Sequence, residues 1–156
     1  MKISEFPKLL DVFLENNRQE IGDILLEVSP PIDISIFPDE ESKIPASNNG
    51  IYLFFSQENN ELLYVGISTS ISSRIYKHIG PGFSWSRDNN KAHFPNVSLT
   101  GGRGWVKDQT KNLFENAKVN LIAIGVTPPE ASSLLESYII FYGFQKGEKP
   151  ELNVEF

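Results

Sequence analysis

Two dense runs of β-branched and aromatic residues constrain this chain more than any other feature. Residues 50–56 read GIYLFFS and residues 62–67 read LLYVGI, and only the polar pentapeptide QENNE lies between them. Runs of this composition joined by a short polar turn predict a β-hairpin. A third run, VNLIAIGV at 119–126, predicts a third strand. Residues 69–79 predict a helix that ends at the Gly80-Pro81-Gly82 breaker, and residues 105–117 predict another. Residues 83–104 read as a loop rich in Gly, Asn and Ser. After the third strand, Thr127 is placed to cap a helix, with Pro128 in its first turn and Glu130 at the capping-box position. Ala131, Leu134, Leu135, Tyr138, Ile139 and Tyr142 form the apolar stripe of that helix, and Gly143 is its stop. The expected fold class is therefore α+β, a small three-stranded antiparallel sheet flanked by helices.

The residues ahead of the hairpin read as an extension. Phe6, Leu9, Leu10, Phe13, Leu14, Ile21, Ile24 and Leu25 recur at helical spacing over residues 5–28, with a break near Gly22. Ile32, Ile34 and Ile36 alternate as in a short strand ending at Pro38, and PDEESKIPASNN reads as a linker. The expected division is an N-terminal helical and strand extension at 1–47 and a core domain at 48–156. A piece as small as the first does not fold alone, so it is expected to pack on the second.

Composition removes several classes of function. The chain has no cysteine, which excludes disulfides, thiolate nucleophiles, zinc fingers and iron–sulfur sites. Its two histidines, His78 and His93, are too few for a histidine-rich metal cage. No apolar run is long enough to cross a bilayer and the first residues lack a signal-peptide layout, so a soluble, cytoplasmic protein is expected. The net charge of −6 conceals a polarity: residues 67–111 carry a local +5, and the first 49 residues carry −6. A polyanion responds to the field of a patch rather than to the sum over the chain.

Gly50-Ile51-Tyr52, followed after eleven residues by Tyr64-Val65-Gly66, resembles the paired tripeptides of the GIY-YIG nuclease superfamily. That family places an arginine on the helix after the second strand, and Arg74 lies eight residues past Gly66. It often has a histidine at i+4, where His78 stands, so both side chains share one helix face. A glutamate on a later helix matches Glu136 in SSLLESYIIF, and an asparagine soon after a proline matches Asn153 after Pro150. Val65 in place of isoleucine is a conservative departure. The resemblance spans residues 50–153 and implies a metal-dependent endonuclease acting on DNA by a one-metal mechanism.

The residue types suit that chemistry on their own terms. Arg74 offers a planar, permanently charged fork that matches two phosphate oxygens. One carboxylate with several waters suits Mg²⁺ or Mn²⁺, which makes Glu136 the candidate metal ligand. It lies off the centre of the apolar stripe, so burial against the sheet is not implied. The resemblance favours Tyr52 as general base, whereas the intrinsic acidity of imidazole favours His78, and the choice stays open. Tyr64 is either a second hydroxyl at the reaction centre or a packing residue. Gly50 and Gly66 allow close approach of the backbone to a phosphate or a neighbouring strand. Asn153 either joins the network or ties down the tail.

For nucleic acid, Lys77, Arg87, Lys91, Arg103, Lys107 and Lys111 supply cations and Trp105 a stacking surface. Two other readings stand beside the enzyme. One is a nuclease fold that is weak or inactive and serves as a nucleic-acid-binding or regulatory module. The other gives the acidic N-terminal region a role in docking a protein partner or in covering the basic face as an autoinhibitor.

Overall fold

The computed structural model describes residues 1–79, 108–148, 150 and 153, apart from the side chains of Ile79 and Phe144. Its centre is strand β3 (Gly50–Ser56), every residue of which is buried. It pairs antiparallel with β4 (Leu62–Ser68) on one side and β5 (Val119–Thr127) on the other. Successive residues of β3 point to opposite faces, so a strand buried along its whole length needs cover on both. Tyr52 and Phe54 enter one core with Ile71, Ile75, Leu113 and Phe114. Ile51, Leu53 and Phe55 enter the other with Phe6, Phe13, Leu135 and Ile139. The first layer is carried by α3 (Ile71–Ile79) and α4 (Asp108–Glu115), and the second by α1 (Phe6–Ile21) and α5 (Ala131–Gln145). The α+β architecture with an N-terminal helix is the one expected.

Among the described residues the sheet has five strands rather than three, because the residues ahead of the hairpin extend it. β1 (Leu25–Val28) and β2 (Ile32–Asp33) both pair antiparallel with the outer side of β5, giving the order β1-β5-β3-β4 with β2 beside β5. The helix breaks where expected, stopping at Ile21 as Gly22 takes φ +82°, a conformation that glycine adopts without a Cβ penalty, but it does not resume beyond the break. Leu25 and Leu26 then satisfy the free edge of β5 instead of continuing the helix.

The strand expected through Ile36 is likewise cut short. The Asp33 carboxylate accepts bonds from the Ser35 N–H at 2.9 Å and the Ser35 hydroxyl at 2.7 Å, which turns the chain into a 3-10 turn at Ile34–Ile36. A short helix, α2 (Phe37–Glu40), and a 3-10 turn at Glu41–Lys43 follow, so the expected linker contains ordered turns.

α5 also departs from expectation at both ends. Thr127 is the last residue of β5, opposite Leu25, and cannot serve as the cap. The carbonyls of Pro128 and Pro129 instead accept the N–H groups of Ala131 and Ser132, at 3.1 and 3.0 Å. The helix runs through Gly143 to Gln145, because the returning chain closes against it. A Cβ on Gly143 would lie 2.9 Å from the Glu148 carbonyl oxygen, and the Glu148 N–H donates to the Gly143 carbonyl at 2.7 Å. The inward face holds Ala131, Ser132, Leu135, Ile139 and Ile140, while Leu134 points outward.

Candidate active site

Tyr52 stands directly opposite Gly66 in the β3–β4 pairing. A Cβ at position 66 would overlap the Tyr52 phenol, so the absent side chain makes room for that ring. Gly50 answers a different demand: its φ is +154°, and a Cβ there would overlap the Ile124 carbonyl on β5. Gly50 thus admits close approach of β5, and Gly66 admits the Tyr52 ring.

The Tyr52 hydroxyl lies 2.8 Å from His78 Nε2, and both side chains are buried. His78 reaches it from the last turn of α3, which places Ile71 and Ile75 in the same core. Phe54 and Tyr64 complete an aromatic enclosure, with ring centroids 5.8 and 5.9 Å from that of His78. Sequence reasoning did not single out Phe54. Its signal is the strand period, since it follows Tyr52 by two residues and shares its face. Tyr64 is half-buried with its ring 5.8 Å from that of Tyr52.

Burial dominates the electrostatics here. It raises the Tyr52 phenol well above its ordinary range, with neighbouring Tyr64 adding to the effect. Two charges of opposite sign then act on the same hydroxyl: Arg74 lowers its pKa and Glu136 raises it. Burial, helped by the Arg74 charge, pulls the His78 imidazole down to about 4, so it is neutral at neutral pH. Which partner donates follows from the tautomer: a neutral ring whose Nε2 lacks a proton accepts from the Tyr52 hydroxyl, and one protonated at Nε2 donates to it.

Arg74 is exposed on α3, and Glu136 is half-buried on α5. Glu136 stands one helical turn beyond Ser132 and one before Ile140, at the border of the buried face, which explains why it is partly desolvated despite lying off the expected stripe. That burial raises its carboxyl pKa. Among the described residues neither Arg74 nor Glu136 forms an ion pair, and no three His, Asp or Glu side chains cluster as a metal site.

Asn153 bonds to the main chain of β4. Its Oδ1 accepts the Val65 N–H at 2.9 Å and its Nδ2 donates to the Val65 carbonyl at 2.8 Å. The amide thus acts as one rung of a further strand on the outer edge of β4, between Tyr64 and Gly66. These two bonds tie residue 153 to the edge of β4. Lys77 is exposed on α3 and Lys111 half-buried on α4, both on helices that cover the Tyr52 face. Arg87, Lys91, Arg103, Trp105 and Lys107 lie outside the described residues.

No described helix is long and apolar enough to cross a membrane. Comparison with curated proteins and with solved structures finds no match. The family model described as the GIY-YIG catalytic domain does match, over residues 48–140, a stretch that holds both tripeptides, Arg74, His78 and Glu136. With the paired strands, the helix after them and the later helix all in place, the chain belongs to the GIY-YIG nuclease family.

Proposed function

We propose that the chain is an endonuclease that hydrolyses DNA phosphodiester bonds with one divalent cation. The observation that carries this reading is the 2.8 Å contact between the Tyr52 hydroxyl and His78 Nε2, biased by Arg74 and Glu136. In this reading Tyr52 and His78 act in series. A phenol whose pKa is raised is a poor phenolate but a competent relay: it takes a proton from the attacking water as it gives its own to Nε2. His78 starts neutral and can receive that proton at Nε2, while the burial that keeps it neutral also weakens it as a base, so the negative charge of the bound phosphate has to offset that bias. The resulting hydroxide attacks phosphorus, the P–O bond to the leaving oxygen breaks, and that oxygen takes a proton from solvent. Arg74, exposed and unpaired among the described residues, is free to fork onto two phosphate oxygens as charge builds on them.

The donor set fits a hard cation. Glu136 is a half-buried carboxylate whose ionised form is disfavoured by burial, and a bound cation reverses that bias. A single carboxylate with waters is a Mg²⁺ or Mn²⁺ arrangement. Such an ion supplies neutralisation of the phosphate charge. Lys77 and Lys111, with Arg87, Lys91, Arg103, Trp105 and Lys107, would engage the flanking DNA.

A titration of Mg²⁺ or Mn²⁺ against supercoiled, linear and branched DNA tests the proposal. Cleavage is expected only with metal, and Glu136→Ala is expected to abolish it while leaving the circular dichroism spectrum unchanged. Undiminished cutting by Glu136→Ala refutes the metal role. Metal-independent retention of DNA without nicking supports a binding module instead.

A further inference from the structure

We propose that Asn48 is a positioning residue, which holds α3 so that His78 meets Tyr52 and Arg74 stays close enough to act on it as a charge. The proposal rests on the reading above that these residues act together in cleavage. Asn48 sits at φ +51° just ahead of β3. Its main-chain carbonyl accepts the Ile71 N–H at 2.9 Å, and its Oδ1 accepts the Ser72 N–H, also at 2.9 Å. Its Nδ2 donates to the Ser70 hydroxyl at 3.2 Å. One residue from a distant segment thus satisfies two of the N–H groups that the first turn of a helix leaves without partners.

The consequence is mechanical. Asn48 is two residues from the start of the strand that carries Tyr52, and it is bonded to the start of the helix that carries His78. It therefore spans the two sides of the 2.8 Å hydroxyl–imidazole contact by a short path. A second attachment lies further along the same helix. The Tyr76 hydroxyl donates to the Glu41 carboxylate at 2.6 Å, and the Tyr76 and Phe37 rings pack with centroids 5.1 Å apart. The segment that reads as a linker in sequence thus grips α3 at both ends.

Asn48→Gly keeps a residue at ease with positive φ and removes both side-chain bonds, whereas Asn48→Asp keeps the acceptor for Ser72. The readouts are kcat and KM for metal-dependent cleavage and the ¹⁵N signals of the His78 ring. A small displacement of reacting groups is costly, so Asn48→Gly is expected to lower kcat by about tenfold or more with KM within about twofold. The His78 Nε2 signal is expected to move toward that of a ring without the Tyr52 bond, and Asn48→Asp to restore both readouts. Wild-type kcat and an unchanged His78 signal in Asn48→Gly overturn the proposal, as does an Asn48→Asp variant impaired equally with it. If the unmodified chain cuts no DNA, the cleavage reading fails, and the His78 signals of the two variants still decide whether Asn48 holds the helix.

Discussion

Burial of a neutral His78 makes the stability of the fold depend on pH in a way that one substitution isolates. The unfolded imidazole titrates near 6.5, and the folded one at about 4. Between these values the unfolded chain binds more protons, so stability rises with pH through this window and is lost as pH falls from 6.5 to 4. The gap corresponds to about 3 kcal/mol, with a slope of at most ~1.4 kcal/mol per pH unit. The assay is urea unfolding followed by far-ultraviolet circular dichroism at a series of pH values, for the wild type and for His78→Phe.

Phenylalanine retains an aromatic ring among Tyr52, Phe54 and Tyr64 but cannot titrate. At pH 7 the variant is the less stable, by about 1–3 kcal/mol, because the buried Tyr52 hydroxyl loses its bond to His78. As pH falls to 4 the difference shifts by about 3 kcal/mol in favour of the variant. His93 and the carboxylates common to both proteins cancel to first order in the comparison. Curves that run parallel between pH 6.5 and 4 would refute the reasoning, since they would mean that His78 is not held neutral by burial.

Further substitutions probe the other contacts. Gly66→Ala drives a methyl group into the Tyr52 phenol and is expected to cost about 1–3 kcal/mol by urea unfolding, with loss of the His78 hydrogen bond seen in its ring ¹⁵N shifts. Asn153→Ala removes two bonds from the edge of β4 and is expected to cost about 1–2 kcal/mol, with faster amide exchange at Val65. Arg74→Ala, on an exposed helix face, is expected to leave the unfolding midpoint nearly unchanged while cleavage falls by at least about a hundredfold, as for loss of a preorganised charge on a developing oxyanion.

The parts legible in the sequence were those set by local pattern. GIYLFFS and LLYVGI read as a hairpin because two short β-branched and aromatic runs flank a five-residue polar turn, too short a spacing for two helices, and the register then sets Tyr52 opposite Gly66. Arg74 and His78 share a helix face by spacing alone. What the sequence left open depended on contacts between distant segments. Leu25 and Leu26 fit a helix as well as a strand, and the unpaired edge of β5 decides between them. The alternation of Ile32, Ile34 and Ile36 gave way to the Asp33 side chain. The choice between Tyr52 and His78 as base was open because burial, which shifts both, is invisible in a linear string. Asn48 read as one polar residue in a turn-rich stretch, and its partners lie more than twenty positions further along the chain.

Replacement of Tyr52 by phenylalanine offers the most direct test, because it removes a single oxygen from a ring that otherwise keeps its place in the core. The measurement is the rate of metal-dependent nicking of supercoiled DNA by Tyr52→Phe and by the unmodified chain, each verified as folded by its unfolding midpoint. If the Tyr52 hydroxyl relays a proton from water to His78, the variant is folded and its nicking is slower by at least about a hundredfold. Nicking at the wild-type rate by a folded Tyr52→Phe would contradict it.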